Sequence, residues 1–276
     1  MKLKSFSSWL ILLAFAESSQ ANEPVLNPAA RSLALANVNV MLSGQGSVMG
    51  NPASLATLTG FSCGVHYLYD FTPELGVGAF FANLPARTCV FGLNYKTFGN
   101  NFYRENEAAI LIGKNLGTRI RAGIGLHYLM IRQPLDYGKQ SALLPSLGIQ
   151  VIPVKQLTAG MRVFNPARQR YSRATDAGIP AVIQAGLGYT FGEEVLICFE
   201  TEKRFPGRIS YRGGIEIVLQ EMLILRFGLS AREYPDYSFG LGFRKDRLNI
   251  DIAITHHPVL GISPAITLSF APYPGK

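Results

Sequence analysis

The feature that most constrains this chain is the two-residue rhythm of its last third. In RLNIDIAIT (247–255), Leu248, Ile250, Ile252 and Ile254 share one parity, and Asn249, Asp251, Ala253 and Thr255 share the other. In DYSFGLGFR, Tyr237, Phe239, Leu241 and Phe243 alternate with Ser238, Gly240, Gly242 and Arg244. RIRAGIGLHYLM repeats the pattern, with Ile120, Ala122, Ile124, Leu126, Tyr128 and Met130 opposite Arg119, Arg121, Gly123, Gly125 and His127. Successive side chains of a strand point to opposite faces, so each run reads as a strand with one apolar and one polar face. From Phe61 onward there are about fourteen such runs, separated by turn residues. They fall at 61–70, 75–83, 87–97, 103–113, 119–132, 141–152, 154–164, 180–191, 194–204, 208–219, 222–232, 236–244, 247–256 and 264–271.

Alternation alone does not say which face is wet. No uninterrupted apolar run reaches the roughly 18 residues of a helical span, which excludes a helical membrane protein. Charged residues make up 16% of the chain and apolar ones 48%, scant cover for a soluble surface. A lipid-facing wall accounts for the shortage. Connections from even to odd runs are brief, as in LPA, LGT, the Pro153 turn, GE, EM and KD, whereas some odd-to-even ones are longer, above all NPARQRYSRATDAG from Asn165 to Gly178. Short turns on one rim and longer loops on the other are the habit of outer-membrane barrels, with both termini on the short-turn, periplasmic side. An open soluble sheet of this size would have two edges to protect. The expected fold is therefore all-β: a transmembrane antiparallel β-barrel of about fourteen strands, spanning 61–276.

Ahead of the barrel, residues 1–21 read as a cleaved secretory signal: basic Lys2 and Lys4, the apolar WLILLAFA, then Ser19-Gln20-Ala21. The expected location is the bacterial outer membrane, with lipid as the surrounding medium. Residues 22–60 differ from both neighbours. RSLALANVNVMLSGQGSVMGNPASLA (31–56) is apolar but lacks alternation, is interrupted by Gly44, Gly46 and Gly50, and ends in an Asn51-Pro52 turn or helix start. Side chains alone fill barrels of roughly eight strands, so a wider lumen must be water-filled or plugged. The segment 22–60 is the expected N-terminal plug, buried where irregular backbone can find partners.

ARSLALANVNVMLSGQGSVMGNPASLA resembles the N-terminal signature of the PorV/PorQ family, itself similar to FadL-type outer-membrane barrels; the matching residues are Ala30, Arg31, Leu35, Ala36, Asn51, Pro52, Ala53, Leu55 and Ala56. FNPARQRYS…IPAVIQAGLGYTF, GGIEIVLQEMLILRFGL and FGLGFRKDRLNIDIAITHHPVLGISPAITLSF extend the resemblance over most of the chain. The family usually carries acidic residues shortly before Asn-Pro-Ala, where this chain has Ser43-Gly44-Gln45-Gly46. The resemblance implies a fourteen-stranded barrel with an N-terminal hatch, whose motif residues are Arg31, Asn51, Pro52 and Ala53. It also implies two roles. The leading expectation is a non-enzymatic accessory or scaffold in type IX protein secretion or surface attachment, engaging secretion-system proteins or cargo. The alternative is a FadL-like channel for hydrophobic small molecules. Short loops and an inward Arg-rich wall weigh toward the scaffold.

That wall is read from the polar parity of four consecutive runs: Arg208, Arg212 and Glu216, then Arg226 and Arg232, then Arg244, then Asp251. Because the set mixes signs, these lumen charges are expected to pair with one another and with the plug's carbonyls. Arg168, Arg170 and Arg173 surround Tyr171 in the longest connection and form the candidate partner-binding loop; their guanidinium forks suit lipopolysaccharide phosphates or an acidic protein partner. Despite the net charge of +8, nucleic acid is not an expected partner, because the barrel is exported. His256-His257-Pro258 is not a metal motif, since neighbouring strand residues face opposite ways and no Cys or carboxylate pair stands near at ligand spacing. His66 and His127 have no local nucleophile, and there is no Gly-x-Ser-x-Gly elbow, so no catalytic residue, enzyme activity, metal or cofactor is expected. Cys63, Cys89 and Cys198 read as small apolar fillers.

Overall fold

The computed structural model describes residues 29–69, 76–133, 138–171, 178–231, 235–257 and 261–271. The expected signal and the candidates Arg173 and Arg232 lie outside these residues. Fourteen strands follow in chain order: β1 (Ser62–Leu68), β2 (Val77–Pro85), β3 (Val90–Gly99), β4 (Arg104–Asn115), β5 (Ile120–Arg132), β6 (Lys139–Val154), β7 (Leu157–Phe164), β8 (Ala181–Phe191), β9 (Val195–Phe205), β10 (Ile209–Leu219), β11 (Leu223–Ala231), β12 (Pro235–Lys245), β13 (Leu248–His257) and β14 (Gly261–Phe270). Each pairs antiparallel with its neighbours in the chain, and β1 pairs with β14 from Cys63↔Phe270 to Leu68↔Ala265, so the ring is closed. The protein is an all-β, fourteen-stranded transmembrane barrel.

Closure settles the two faces. Phe239 and Leu241 are 56% and 50% exposed on the outside, whereas the inward Glu200, Arg162 and Arg226 are 0%, 2% and 4% exposed. An apolar outer wall of this extent would be costly in water, at about 25 cal/mol per Å² of apolar surface. Lipid removes that cost. The connections 86–89, 116–119, 155–156, 192–194, 220–222 and 246–247 share one rim, the inner one by the habit of such barrels, and those after odd-numbered strands, of which 165–180 is the longest, share the other.

One expected turn moves. Pro153 lies inside the end of β6, and the chain reverses at Lys155 and Gln156 instead. The β6–β7 register shifts between Val151 and Val154, and a bulge of this kind is where a strand tolerates a residue that cannot donate a ladder hydrogen bond.

Before β1 the chain is not a strand. α1 (Ala30–Ala34) is followed by two 3-10 turns, Gly46–Met49 and Pro52–Thr57. These residues pack against inward side chains of the barrel: Val48, Met49 and Leu55 with Phe81 and Leu111, Ala30 and Ala34 with Ala253 and Ala265, and Leu35, Val38 and Met41 with Cys198. All three cysteines are free, and Cys198 is buried in the last of these groups.

Candidate functional site

The lumen is the candidate site, and the irregular segment divides it. Asn51 ties the segment together: its Oδ1 accepts from Ala53 N at 3.0 Å, and its Nδ2 donates to Val40 O at 2.7 Å. Pro52 opens the following turn, where its fixed φ is preorganised and no amide hydrogen is needed. The barrel wall supplies the other partners. Glu200 Oε2 accepts from the backbone N–H groups of Asn39 and Val40 at 2.8 and 2.9 Å, and Gln150 Nε2 donates to Val40 O and Leu42 O at 3.0 and 3.1 Å. Ser238 Oγ donates to Ala34 O at 3.0 Å, and Ala30 N donates to Thr267 Oγ1 at 2.9 Å. Irregular backbone is thus satisfied away from lipid, as membrane depth requires. Close approach is made possible by glycine: a Cβ on Gly123 would run into Pro52, and one on Gly148 into the Asn51 side chain.

Toward the inner rim a charged network holds α1. Arg31 grips Glu216 with two parallel bonds, Nε to Oε2 at 2.8 Å and Nη2 to Oε1 at 2.7 Å, and donates through Nη1 to Ser43 O at 2.5 Å. Burial opposes the Arg31 charge, but Glu216 more than offsets this and holds the guanidinium above its ordinary pKa. Glu216 also accepts from Arg226 Nε at 2.7 Å, and Arg226 Nη1 reaches Asp251 at 2.7 Å. Arg244 lines the same vestibule, a space of about 940 Å³ between Ser43–Ser47 and the β10–β14 wall. Four of the expected lumen charges, Glu216, Arg226, Arg244 and Asp251, therefore meet here. Arg212 stands apart, bonded at 2.9 Å to Glu202 and at 3.3 Å to Asn37 O. Arg208 does not belong to the wall: it is exposed in the β9–β10 connection, where the strand alternation has ended before reaching it.

The outer half of the lumen contains groups that the sequence reading did not single out as a set. Glu107 pairs with Lys96 at 2.7 Å and with His127 Nδ1 at 2.8 Å, while His127 Nε2 meets Ser146 Oγ at 2.8 Å. Glu202 is bonded by Arg204 at 2.8 Å, Arg212 at 2.9 Å and Gln184 at 2.9 Å. Arg162 is buried between these groups, and its Nε and Nη1 have no hydrogen-bond partner. Its guanidinium lies over the Phe164 ring at 5.4 Å, and His127 meets the same ring edge-on at 5.2 Å. Phe164 in turn belongs to an apolar cluster with Leu129, Ala142, Leu144, Ile179 and Val182, against which Tyr171 packs. Burial keeps the Tyr171 phenol above its ordinary pKa and therefore neutral. Beside the cluster, Val77, Lys96, Phe98, Glu107, Leu129 and Tyr171 enclose only about 30 Å³, room for about one water molecule.

In the long outer connection, Arg168 stacks over Phe205 at 5.6 Å, and Arg170 forms a β-bridge with Gly178. Among the described residues, no group of three or more His, Cys, Asp or Glu is placed to hold a metal ion.

No family model matches the chain, and no curated protein matches it. Solved structures do. A TodX deltaS2S3 mutant monoaromatic hydrocarbon channel superposes with a TM-score of 0.71 at 11% identity, covering 89% of this chain and 99% of that one. The CymD monoaromatic hydrocarbon channel gives 0.67 at 10% identity, covering 91% and 99%. A Pseudomonas aeruginosa FadL homologue gives 0.60 at 12% identity, covering 89% and 98%. At such identities the likeness establishes the fold. It also corrects the PorV/PorQ assignment: these superposing barrels are hydrocarbon channels and a FadL homologue, and the type IX secretion role falls with that assignment. The motif misled for a physical reason. Ala30 packs in one cluster with Ala253 and Ala265, where only a small side chain fits, and Asn51 caps the turn that Pro52 opens, requirements that bear on any segment packed this closely against a barrel wall.

Proposed function

We propose that this chain is a channel for small apolar molecules across the outer membrane, with the segment up to residue 60 acting as a plug. One observation carries the reading: beside its charged groups, the outer half of the lumen contains the buried apolar cluster of Leu129, Ala142, Leu144, Phe164, Ile179 and Val182. An apolar patch inside a wet barrel is where a hydrophobic solute would partition, gaining about 25 cal/mol for each Å² removed from water. The fold of FadL-like barrels supports the same reading. The chain reaches its membrane through removal of residues 1–21, so the mature N-terminus falls at Asn22, and intact mass spectrometry of the membrane-extracted protein checks this.

The test needs a real barrier, because toluene crosses plain phospholipid unaided. Vesicles with a lipopolysaccharide outer leaflet supply one. Inserted barrels should speed toluene entry several-fold over empty vesicles, and Leu144→Asn should reduce that gain. Equal rates with and without protein would overturn the proposal.

A further inference from the structure

Three cations stand side by side on the outside of the barrel wall. Arg104 lies opposite Arg132 in the β4–β5 register, and Arg132 lies opposite Lys139 in the β5–β6 register. All three are exposed, and each shares the outward parity of its strand with Ile110, Leu126 or Leu143. The row sits at the rim shared by the connections after odd-numbered strands. Residues directly opposite in an antiparallel pair have Cβ atoms about 5 Å apart, and like charges placed so are destabilising. Among the described residues none of the three pairs with a carboxylate. Glu105 and Glu107 belong to the inward parity of β4, where Glu105 accepts from the Tyr103 hydroxyl and Glu107 is held by Lys96 and His127. Asp136, in the connection between β5 and β6, lies outside the described residues; counted against the row, it still leaves a positive excess.

Below the cations the surface changes as a membrane boundary does. The next row holds Asn106, Met130 and Ser141, and the one after it Tyr95, Tyr128 and Leu143. Tyr95 donates its hydroxyl to Asn106 Oδ1 at 2.9 Å. Farther down, Leu93, Ile110 and Leu126 are 54%, 58% and 48% exposed toward lipid. Tyrosines gather at headgroup level, so the cations stand on the aqueous side of that level, within reach of lipid phosphates. We propose that Arg104, Arg132 and Lys139 form a lipopolysaccharide site on the outer wall, holding the phosphates of its lipid anchor. Two guanidinium forks and an ammonium suit phosphate oxygens, and an anion seated between the strands turns their mutual repulsion into shared attraction. The site uses the orientation of the barrel, is independent of the channel reading, and is separate from the β7–β8 connection that carries Arg168 and Arg170.

The experiment measures lipid retained by the full-length barrel in detergent at physiological salt, with rough lipopolysaccharide, its dephosphorylated form and phosphatidylglycerol as probes. Wild type should retain the phosphorylated form saturably, and Arg104→Gln, Arg132→Gln and Lys139→Gln together should lower retention by about tenfold. Arg87→Gln, Lys114→Gln and Lys155→Gln together remove equal charge at the opposite rim and should leave retention intact. Folding of each variant is read from heat-modifiable gel mobility. If the first triple variant does not fold, Arg132→Gln alone serves in its place and should weaken retention several-fold. In lipid-free detergent Arg132→Gln should raise the midpoint of heat modification by relieving the repulsion. With lipopolysaccharide added, the same variant should melt below wild type. Undiminished retention by the folded variants, equal retention of the dephosphorylated form, or an equal loss from the opposite-rim variant would overturn the site. Displacement of lipopolysaccharide by an equal amount of phosphatidylglycerol would overturn it too, since the row would then take any phosphate headgroup.

Discussion

At the scale of single residues, Asn51 and Arg31 bear most on the interior. Asn51 caps the Pro52–Thr57 turn and holds Val40 O, so Asn51→Ala should destabilise the folded barrel by about 0.5–2 kcal/mol, read as a lower urea midpoint. Arg31 joins α1 to Glu216 and to Ser43 O. Arg31→Gln leaves Glu216 still paired with Arg226, so the barrel should fold, but the vestibule side of the segment is released. Ion conductance in planar bilayers should rise several-fold over the wild-type leak; an unchanged trace would mean that Arg31 is not what holds the segment. Asn51-Pro52 was legible in the sequence because a cap is local chemistry. Arg162, Glu200 and Glu107 were not, since the groups around each lie on other strands or on the segment before β1, at distances in the chain that no local pattern announces. His127 was placed on the polar parity, but its Glu107 and Ser146 partners belong to β4 and β6.

Among elements, the fourteen strands were readable because two-residue alternation is imposed on each one separately by lipid outside and polar groups inside. The Pro153 turn was misplaced because a bulge lets proline stay within β6, and a bulge depends on the partner strand. The glycines on the polar parity carried a signal that was not used: Gly123 and Gly148 face inward where Pro52 and Asn51 press on the wall. Gly123→Val should therefore displace the segment. In a background with Cys63, Cys89 and Cys198 replaced by Ala, a cysteine introduced at Leu35 or Ala53 should resist bulky aqueous maleimides, and Gly123→Val should raise the Ala53→Cys rate about tenfold, with labelling followed by mass shift. Fast labelling without the valine would place the segment outside the lumen. Replacing Arg168, Arg170 and Arg173 together by Ala should leave heat-modifiable folding intact, because exposed charges such as Arg168 and Arg170 contribute little to stability, on the order of 1 kcal/mol or less each. The same variant should bind lipopolysaccharide more weakly than wild type in a salt-dependent pull-down.

For the whole molecule, fold and function were unequally legible. A closed barrel follows from periodicity, connection parity and sparse charge, all spread over the length of the chain. Its passenger does not, because the cluster around Phe164 draws on β5, β6, β7 and β8 and on Ile179 in the connection between them. The central claim is a plugged barrel that favours apolar solutes over ions. Its most direct test places both in one preparation: vesicles with a lipopolysaccharide outer leaflet and a fixed number of inserted barrels, monitored together for toluene entry and for dissipation of a potassium gradient. The account predicts faster toluene entry with the gradient held near the protein-free level. Rapid loss of the gradient without any gain in toluene entry would contradict it and make the chain an open aqueous pore.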